Sequence, residues 1–213
     1  MACITALRAA YRGSKRRSIT VDGEEWRTTS AAVVRELGLA EGDDVDTDRL
    51  ETSISAAEIP AARDRALRLL GYREHGSIEL REKLITDGYP MDLASRTVDS
   101  LLRVGFVDDD RYAALLARTL IDGRAYGRTR AYREMLRRKL SEEQAQVALD
   151  ACCPESGEYA RALELARTWA RPGGDVRKLA ARLARRGYPV RTCFEAAASA
   201  FGLADEQAVD DTL

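Results

Sequence analysis

The sequence predicts a mainly α-helical protein: a tandem array of three three-helix repeats, about nine helices, preceded by a small strand-containing N-terminal module. Three observations lead to this fold class. Hydrophobic residues make up 45% of the chain but aromatic residues only 6%, so Ala and Leu supply most of the apolar mass, as in packed helices. Apolar residues recur at helical spacing from about residue 61, and this pattern returns twice. Near the N-terminus, an Asp-Gly pair between two short strand-like segments indicates a β-hairpin.

Residues 1–60 are predicted to form the N-terminal module. Strands are expected over 4–10, 18–21 and 24–28, and Asp22-Gly23 is the expected hairpin turn between the last two. The basic residues before the second strand could contact phosphate, although a solvated hairpin loop explains them more simply; they are Arg12, Lys15, Arg16 and Arg17.

Two short helices are expected to complete the module. Thr29-Ser30 is a candidate N-cap for a helix over 31–37, which Gly38 would end. A second helix is predicted from Thr47 to about Ala57. Pro60 then marks the predicted boundary of the module, because proline disrupts a helix interior.

The three repeats are predicted to span 61–105, 106–153 and 154–203, followed by an acidic C-terminal tail over 204–213. In the first repeat, one helix is expected to close after Leu70, a second to open at Gly76-Ser77 and a third at Met91 or Asp92.

The second helix and its turn carry the repeat signal. The pattern Leu80-x3-Leu84-x3-Gly88-Tyr89-Pro90 returns 99 residues later as Leu179-x3-Leu183-x3-Gly187-Tyr188-Pro189. At an offset of 51 residues, the middle copy has Ala131, Met135 and Lys139-Leu140, so it lacks the glycine. The helix starts also fall at equivalent positions of the three copies: Gly76, Gly127 and Asp175, all acceptable N-cap residues. Ser141 is expected to cap the last helix of the middle repeat.

The near-zero net charge of -1 conceals two strongly basic segments. Residues 111–140 contain nine Arg or Lys against two acids, a net charge of +7, and residues 161–191 contain the same numbers. In both segments, the second helix places cations on one face and apolar residues on the other. The candidate partner-binding or DNA-binding residues are Arg128, Arg130, Arg133, Arg137, Arg138, Lys178, Arg182 and Arg185.

A simpler explanation of these stripes remains open. Charged outer helix faces are normal, and only four of the 34 basic residues are lysines, so an arginine-rich composition could account for a single stripe. Arginine forks suit phosphate and carboxylate alike, so the residues do not choose between DNA and an acidic protein surface. Tyr126, beside the stripe, could stack on a base or simply pack.

The residues point to no reaction class, so no catalytic residue, metal ion or cofactor is predicted. His75 is the only histidine, which excludes a site of several imidazoles, and we expect it to make a capping or interhelix hydrogen bond. The Gly123–Gly127 segment lacks the Gly-Lys-Ser/Thr of a P-loop and is interpreted as a turn between helices. Asp108-Asp109-Asp110 is interpreted as a helix start, and the four cysteines as reduced thiols.

Three segments carry specific motifs: Arg-Glu-His-x3-Glu-Leu-x2-Lys-Leu over 73–84, Gly-Phe-Val-Asp-Asp-Asp-Arg-Tyr-Ala over 105–113, and Gly-x5-Arg-x2-Leu over 127–136. With these motifs the chain resembles the RecX family of bacterial recombination regulators. The resemblance covers about 63–150 well and 157–203 in more divergent form. Gly76 departs from the family, which often has Ser there, and so does Lys139-Leu140, where a Gly is usual.

The resemblance implies a non-catalytic protein that binds RecA recombinase and its filament on single-stranded DNA. It further implies that the protein limits filament extension, ATP hydrolysis and strand exchange in recombination, DNA repair and the SOS response. A cytoplasmic protein is expected because the N-terminus lacks an apolar run of signal-peptide length. Two alternatives remain: a DNA-binding protein that uses helix-turn-helix-like units without RecA, and a helical-repeat scaffold for another partner. The sequence contains no apolar run long enough for a membrane span of roughly 18 to 20 residues.

Overall fold

A computed structural model describes residues 2–11 and 13–203, so the predicted acidic tail over 204–213, and Arg12 of the N-terminal basic group, lie outside the described residues. The chain divides into two compact units, 1–108 and 109–213. The expected class is confirmed: helices dominate, and a small antiparallel sheet occupies the N-terminal part of the first unit. The finer division into a module, three repeats and a tail remains a prediction.

The sheet of the first unit has four antiparallel strands in the order β3-β2-β1-β4. They are β1 (Ala2–Ala9), β2 (Arg16–Val21), β3 (Glu24–Ser30) and β4 (Asp44–Val45). The predicted hairpin is confirmed, because Asp22 and Gly23 both have positive φ, at 51° and 86°, as a tight two-residue turn requires. Strand β4 was not predicted, since two residues are too short to show a periodic pattern.

The helices of the first unit are α1 (Ala31–Glu36), α2 (Thr47–Tyr72), α3 (Ser77–Thr86) and α4 (Met91–Arg103). Ser30 caps α1 as predicted, and its side chain accepts a hydrogen bond from the amide of Val33. The starts of α3 and α4 are also where the sequence placed them. Gly76 is the N-cap residue of α3, and because glycine has no side chain this helix start lacks a side-chain capping hydrogen bond.

The predicted helix end near Ala57 is wrong, and no helix ends at Pro60. Helix α2 continues through Pro60 to Tyr72, so one helix of 26 residues belongs both to the N-terminal module and to the first repeat. Proline removes the hydrogen bond to the carbonyl of Ala56, but both residues lie on the exposed side of the helix, where water can replace it. Apolar residues at other positions of α2, such as Ile54 and Ala62, are fully buried and hold the helix in place.

The core of the first unit is continuous between sheet and helices. Ile4 and Ile19 from the sheet belong to the same buried cluster as Leu80, Leu84 and Val98 from α3 and α4. The N-terminal module is therefore packed on the first three-helix group.

The second unit contains two successive three-helix groups. The first comprises α5 (Asp109–Arg118), which continues into a π-helical turn over Thr119–Gly123, then α6 (Arg128–Arg137) and α7 (Glu142–Cys152). After a short 3-10 turn come α8 (Glu158–Trp169), α9 (Val176–Arg185) and α10 (Val190–Ala200). Each group has its own buried cluster, one around Met135 and Leu149, the other around Leu183 and Ala196.

The predicted caps of the second unit are confirmed. Gly127 and Asp175 are the N-cap residues of α6 and α9, and Ser141 forms a reciprocal capping box with Gln144 at the start of α7. Lys139 takes the position of the missing glycine and has a φ of 67°, in the left-handed region. The turn after α6 therefore keeps the backbone shape of the glycine-containing turns, although a lysine occupies it.

Candidate partner-binding surface

The eight predicted side chains lie on or directly after two helices of the second unit. Helix α6 carries Arg128, Arg130, Arg133 and Arg137, and Arg138 is its C-cap residue. Helix α9 carries Lys178, Arg182 and Arg185, all exposed, while Leu179 and Leu183 on its other face are buried. The amphipathic arrangement predicted for both helices is therefore present.

Arg128 is the candidate contact residue that does not lie on the exposed face of α6. Its side chain is buried: one guanidinium nitrogen donates to the carbonyl oxygen of Cys153 at 2.9 Å, and the other forms an ion pair with Asp150. Its backbone amide donates to the buried carboxylate of Glu158 at 2.9 Å. Arg128 thus holds the start of α6 against α7 and α8, and its guanidinium is separated from the exposed stripe of Arg130, Arg133 and Arg137.

Arg137 and Arg138 share an acidic neighbour on their own helix. The guanidinium of Arg137 lies 3.1 Å from the Glu134 carboxylate, and that of Arg138 lies 3.9 Å from it. This carboxylate lowers the positive potential at the C-terminal end of α6. The stronger positive surface therefore lies towards the start of the helix.

Helices α6 and α9 meet at that end through their backbones. The amide of Gly127 donates to the carbonyl oxygen of Arg186 at 2.9 Å, and the Arg130 guanidinium donates to the carbonyl oxygen of Arg185 at 2.6 Å. A Cβ atom on Gly127 would lie 2.4 Å from the carbonyl oxygen of Gly187. The two predicted basic helices, 48 residues apart in sequence at their starts, are therefore brought to one junction.

Arginines and aromatic rings alternate across this junction. Arg130 lies over the Tyr126 ring at 4.2 Å from its centroid, and Arg182 lies over the Trp169 ring at 3.8 Å. Arg186 lies between the two rings, at 5.7 Å from the first and 5.6 Å from the second. These distances fit cation–π contacts, which hold the guanidinium groups in place without neutralising them.

We use the term basic junction for Arg130, Arg133, Lys178, Arg182, Arg185 and Arg186. Within the part of the chain that the structure describes, none of these six side chains is ion-paired with a carboxylate. Five of them are exposed, and Arg186 is half-buried. The surface therefore presents unneutralised guanidinium and ammonium groups, which suit phosphate or carboxylate groups of a partner.

Sequence reasoning missed Arg186 and Trp169 as members of this surface. Arg186 falls outside the helical stripe because it caps the C-terminus of α9, and Trp169 ends a different helix. The sequence feature that could have identified Arg186 is its position directly before the repeated Gly-Tyr-Pro turn. Tyr126 was recognised beside the stripe, but its ring is covered by Arg130 and packs against the arginine.

The residues weighed for catalysis occupy structural positions. His75 is buried, with Nδ1 at 3.3 Å from a Glu79 carboxylate oxygen. Burial lowers the pKa of His75, and the nearby Arg73 lowers it further. Burial also raises the pKa of the Cys153 thiol, and that of Cys193 to about 11, so both thiols stay protonated at neutral pH.

The other two segments considered for ligand binding are helix connections. Gly123–Gly127 forms the turn between α5 and α6, and α5 begins at Asp109 with two acids in its first turn, as predicted. Among the described residues, no three His, Cys, Asp or Glu side chains come together as a metal site would require. In the same residues, no helix is both long enough and apolar enough to cross a membrane.

Known proteins resemble this chain in sequence and fold. Residues 62–101 match the model of the first three-helix domain of RecX. A regulatory protein RecX from Xanthomonas axonopodis pv. citri is 38% identical over 127 residues, 58% of this chain and 78% of that protein. The regulatory protein RecX of Mycolicibacterium smegmatis is 33% identical over 137 residues, 60% of this chain and 72% of that protein.

A crystal structure of a regulatory protein RecX superposes with a TM-score of 0.57, covering 97% of this chain and all of that one. The sequences are 21% identical, so this similarity concerns the fold.

Proposed function

The chain belongs to the RecX family of regulatory proteins, and we propose that it acts without catalysis as an inhibitory modulator of RecA. In this proposal it binds the RecA filament on single-stranded DNA in the cytoplasm and limits filament extension, ATP hydrolysis and strand exchange. Its physiological setting would be recombination, DNA repair and the SOS response.

One observation carries the proposal: the basic junction assembles two separately encoded cationic helices into one surface. Arg130 near the start of α6 contacts the carbonyl group of Arg185 at the end of α9, so the two basic helices are held together at these ends. The cation–π contacts further restrict the guanidinium groups, which reduces the conformational entropy lost when a partner binds. A filament of protein on DNA offers both phosphate and carboxylate groups to such a surface.

The site proposed for partner binding is the basic junction, with Arg137 and Arg138 at its edge. Arg128 is left out, because its guanidinium is used inside the unit. The test variant should avoid residues that hold the junction together. Arg133, Lys178 and Arg185 meet this condition, because their side chains are exposed and unpaired within the described residues.

The test measures inhibition of RecA ATPase on single-stranded DNA by the purified protein. We expect the triple variant Arg133→Glu, Lys178→Glu and Arg185→Glu to need at least about tenfold more protein for half inhibition, ~1.4 kcal/mol of binding free energy. The matched control, Arg8→Glu, Arg63→Glu and Arg103→Glu, changes the charge equally at exposed positions of the first unit that have no ion pair within the described residues, and it should inhibit normally. Equal inhibition by both folded variants would overturn the site.

A second experiment, which measures binding to DNA with and without RecA, separates the two alternative functions. A salt titration of binding to duplex DNA without RecA would show a steep loss of affinity if the protein acted as an independent DNA-binding protein. Binding neither to DNA nor to the RecA filament would leave the scaffold alternative. Binding that requires RecA supports the proposal.

A further inference from the structure

A second basic site lies in the first unit, and it includes Lys15 of the N-terminal basic group that the sequence indicated as a possible phosphate contact. A cavity of about 350 Å³ opens where the N-terminal module meets the first three-helix group. Five segments form its walls: the β1–β2 loop, the end of β3, α1, α2 and the turn after α3. The cavity is lined by Lys15, Ser30, Ala31, Ala32, Arg35, Arg65, Arg68, Asp87 and Tyr89.

Asp87 forms ion pairs with two of the four cationic side chains that line the cavity, Lys15 and Arg65. Its carboxylate is 3.1 Å from the Lys15 ammonium group and 2.5 Å from Nε of Arg65. The loop itself is held by a hydrogen bond from the amide of Ala31 to the carbonyl oxygen of Lys15, at 2.9 Å. The positions of these two cations are therefore set by the fold before any ligand binds.

The other two cations have no such counter-charge. Arg35 and Arg68 are exposed, and across residues 2–11 and 13–203 neither is ion-paired with a carboxylate. With four cations and the single carboxylate of Asp87, the wall has a net charge of +3. Guanidinium groups bind phosphate through two parallel hydrogen bonds, so this arrangement favours a ligand with several phosphate oxygens.

The remaining lining residues add space but no negative charge. Ala31 and Ala32 have small side chains, and Tyr89 is 3% exposed. Burial raises the pKa of Tyr89, so its phenol stays neutral at physiological pH. The cavity volume is at the lower end of the range of small-molecule sites, about 300 to 1,000 Å³.

We propose that this cavity binds a polyphosphate group, either as free pyrophosphate or as part of a nucleoside di- or triphosphate. The net charge of +3 matches the several negative charges of such a group, whereas a single carboxylate would leave two cations uncompensated. The inference does not depend on the RecA proposal, because it concerns different residues in the other compact unit.

Binding is tested by isothermal titration calorimetry on the full chain, using sodium pyrophosphate, ATP and adenosine at constant ionic strength. We expect pyrophosphate and ATP to bind with a stoichiometry of one and adenosine alone to give no signal. The variant Arg35→Ala with Arg68→Ala should bind pyrophosphate at least tenfold more weakly. Neither side chain has an ion pair in the described residues, so the variant should keep its fold, which circular dichroism checks.

The control is Arg49→Ala with Arg63→Ala, which removes two exposed arginines from α2 outside the cavity. Its pyrophosphate affinity should equal that of the unmodified protein. Similar affinities for pyrophosphate and ATP indicate that phosphates alone are recognised, and tighter ATP binding indicates that the nucleoside contributes; both support the site. Absence of pyrophosphate binding, or equal weakening by both variants, overturns it.

Discussion

The backbone of Gly127 lies against the backbone of Gly187, with no room for a side chain on either residue. A Cβ atom on Gly127 would come within 2.4 Å of the carbonyl oxygen of Gly187, and one on Gly187 within 2.3 Å of Cβ of Arg130. The contact sets the distance between α6 and α9 and hence the spacing of the cations at the basic junction.

Gly127→Ala is expected to destabilise the second unit by roughly 1–3 kcal/mol, because the new methyl group must displace backbone atoms. Gly123→Ala is the matched control, since a Cβ there meets nothing within 4 Å. Urea denaturation followed by circular dichroism compares the two variants. An equal free energy of unfolding for both would contradict the close approach.

Arg128 is expected to stabilise the fold, whereas Arg133 on the same helix is not. Arg128→Ala leaves the Cys153 carbonyl group and the Asp150 carboxylate without this partner, so we expect a loss of about 2–3 kcal/mol. Arg133→Ala should change stability by less than about 0.5 kcal/mol, because its side chain is exposed. Thermal unfolding of the two variants tests the difference, and similar melting temperatures would refute it.

The left-handed backbone of Lys139 predicts a stabilising substitution. In this region, a non-glycine residue destabilises the folded protein by roughly 1–2 kcal/mol. Glycine avoids that strain, but its more flexible unfolded chain lowers the free energy of unfolding by about 0.5–1 kcal/mol. Lys139→Gly should therefore raise the free energy of unfolding by up to about 1 kcal/mol. Arg138→Gly, at a φ of -84°, should instead lower it. A loss of stability in both variants would argue against strain at Lys139.

His75 predicts a pH dependence of stability in the first unit. Burial and the Arg73 charge lower the pKa of His75 in the folded protein. As the pH falls below about 6.5, the ordinary pKa of histidine, the unfolded chain therefore binds a proton more readily than the folded protein does. The stabilising contribution of the neutral imidazole is therefore fully present above pH ~6.5 and is lost as the pH falls below it.

The measurement compares the free energy of unfolding at pH 7.5 and 5.5 for the unmodified protein and His75→Gln. The unmodified protein should lose more stability between these values than the variant, since glutamine does not titrate. Both pH values lie above the ordinary carboxylate pKa values of about 4, and other titrating groups are common to the two proteins, so the difference between them reports His75. A parallel loss in both proteins would exclude His75 as the cause.

Much of the fold was predictable because its signals are local. The hairpin at Asp22-Gly23, the cap at Ser30 and the capping box at Ser141 each follow from residues within a few positions of one another. The helical spacing of Leu80 and Leu84, repeated at Leu179 and Leu183, likewise predicted the buried faces of α3 and α9.

The differences arise from contacts between residues that are distant in sequence. Pro60 is a strong local signal for a helix end, yet the buried residues of α2 on either side keep the helix continuous. Arg128 was a candidate contact, yet its guanidinium binds Asp150 and the carbonyl group of Cys153, more than 20 residues away in sequence. Its spacing of three and seven residues from the buried Ala131 and Met135 fits this inward position, but the sequence does not identify the partners.

The sequence by itself determined the helical class, the repeated Leu-x3-Leu turn unit and the two cationic helix faces, because these depend on spacing along one chain segment. Only the tertiary structure decided what the Gly-Tyr-Pro turns touch. The turn at Gly88 approaches Thr29 and Ser30, whereas the turn at Gly187 approaches Gly127 and Arg130. The same local motif thus forms two different junctions, since its contacts depend on which distant backbone the hydrophobic packing brings to it.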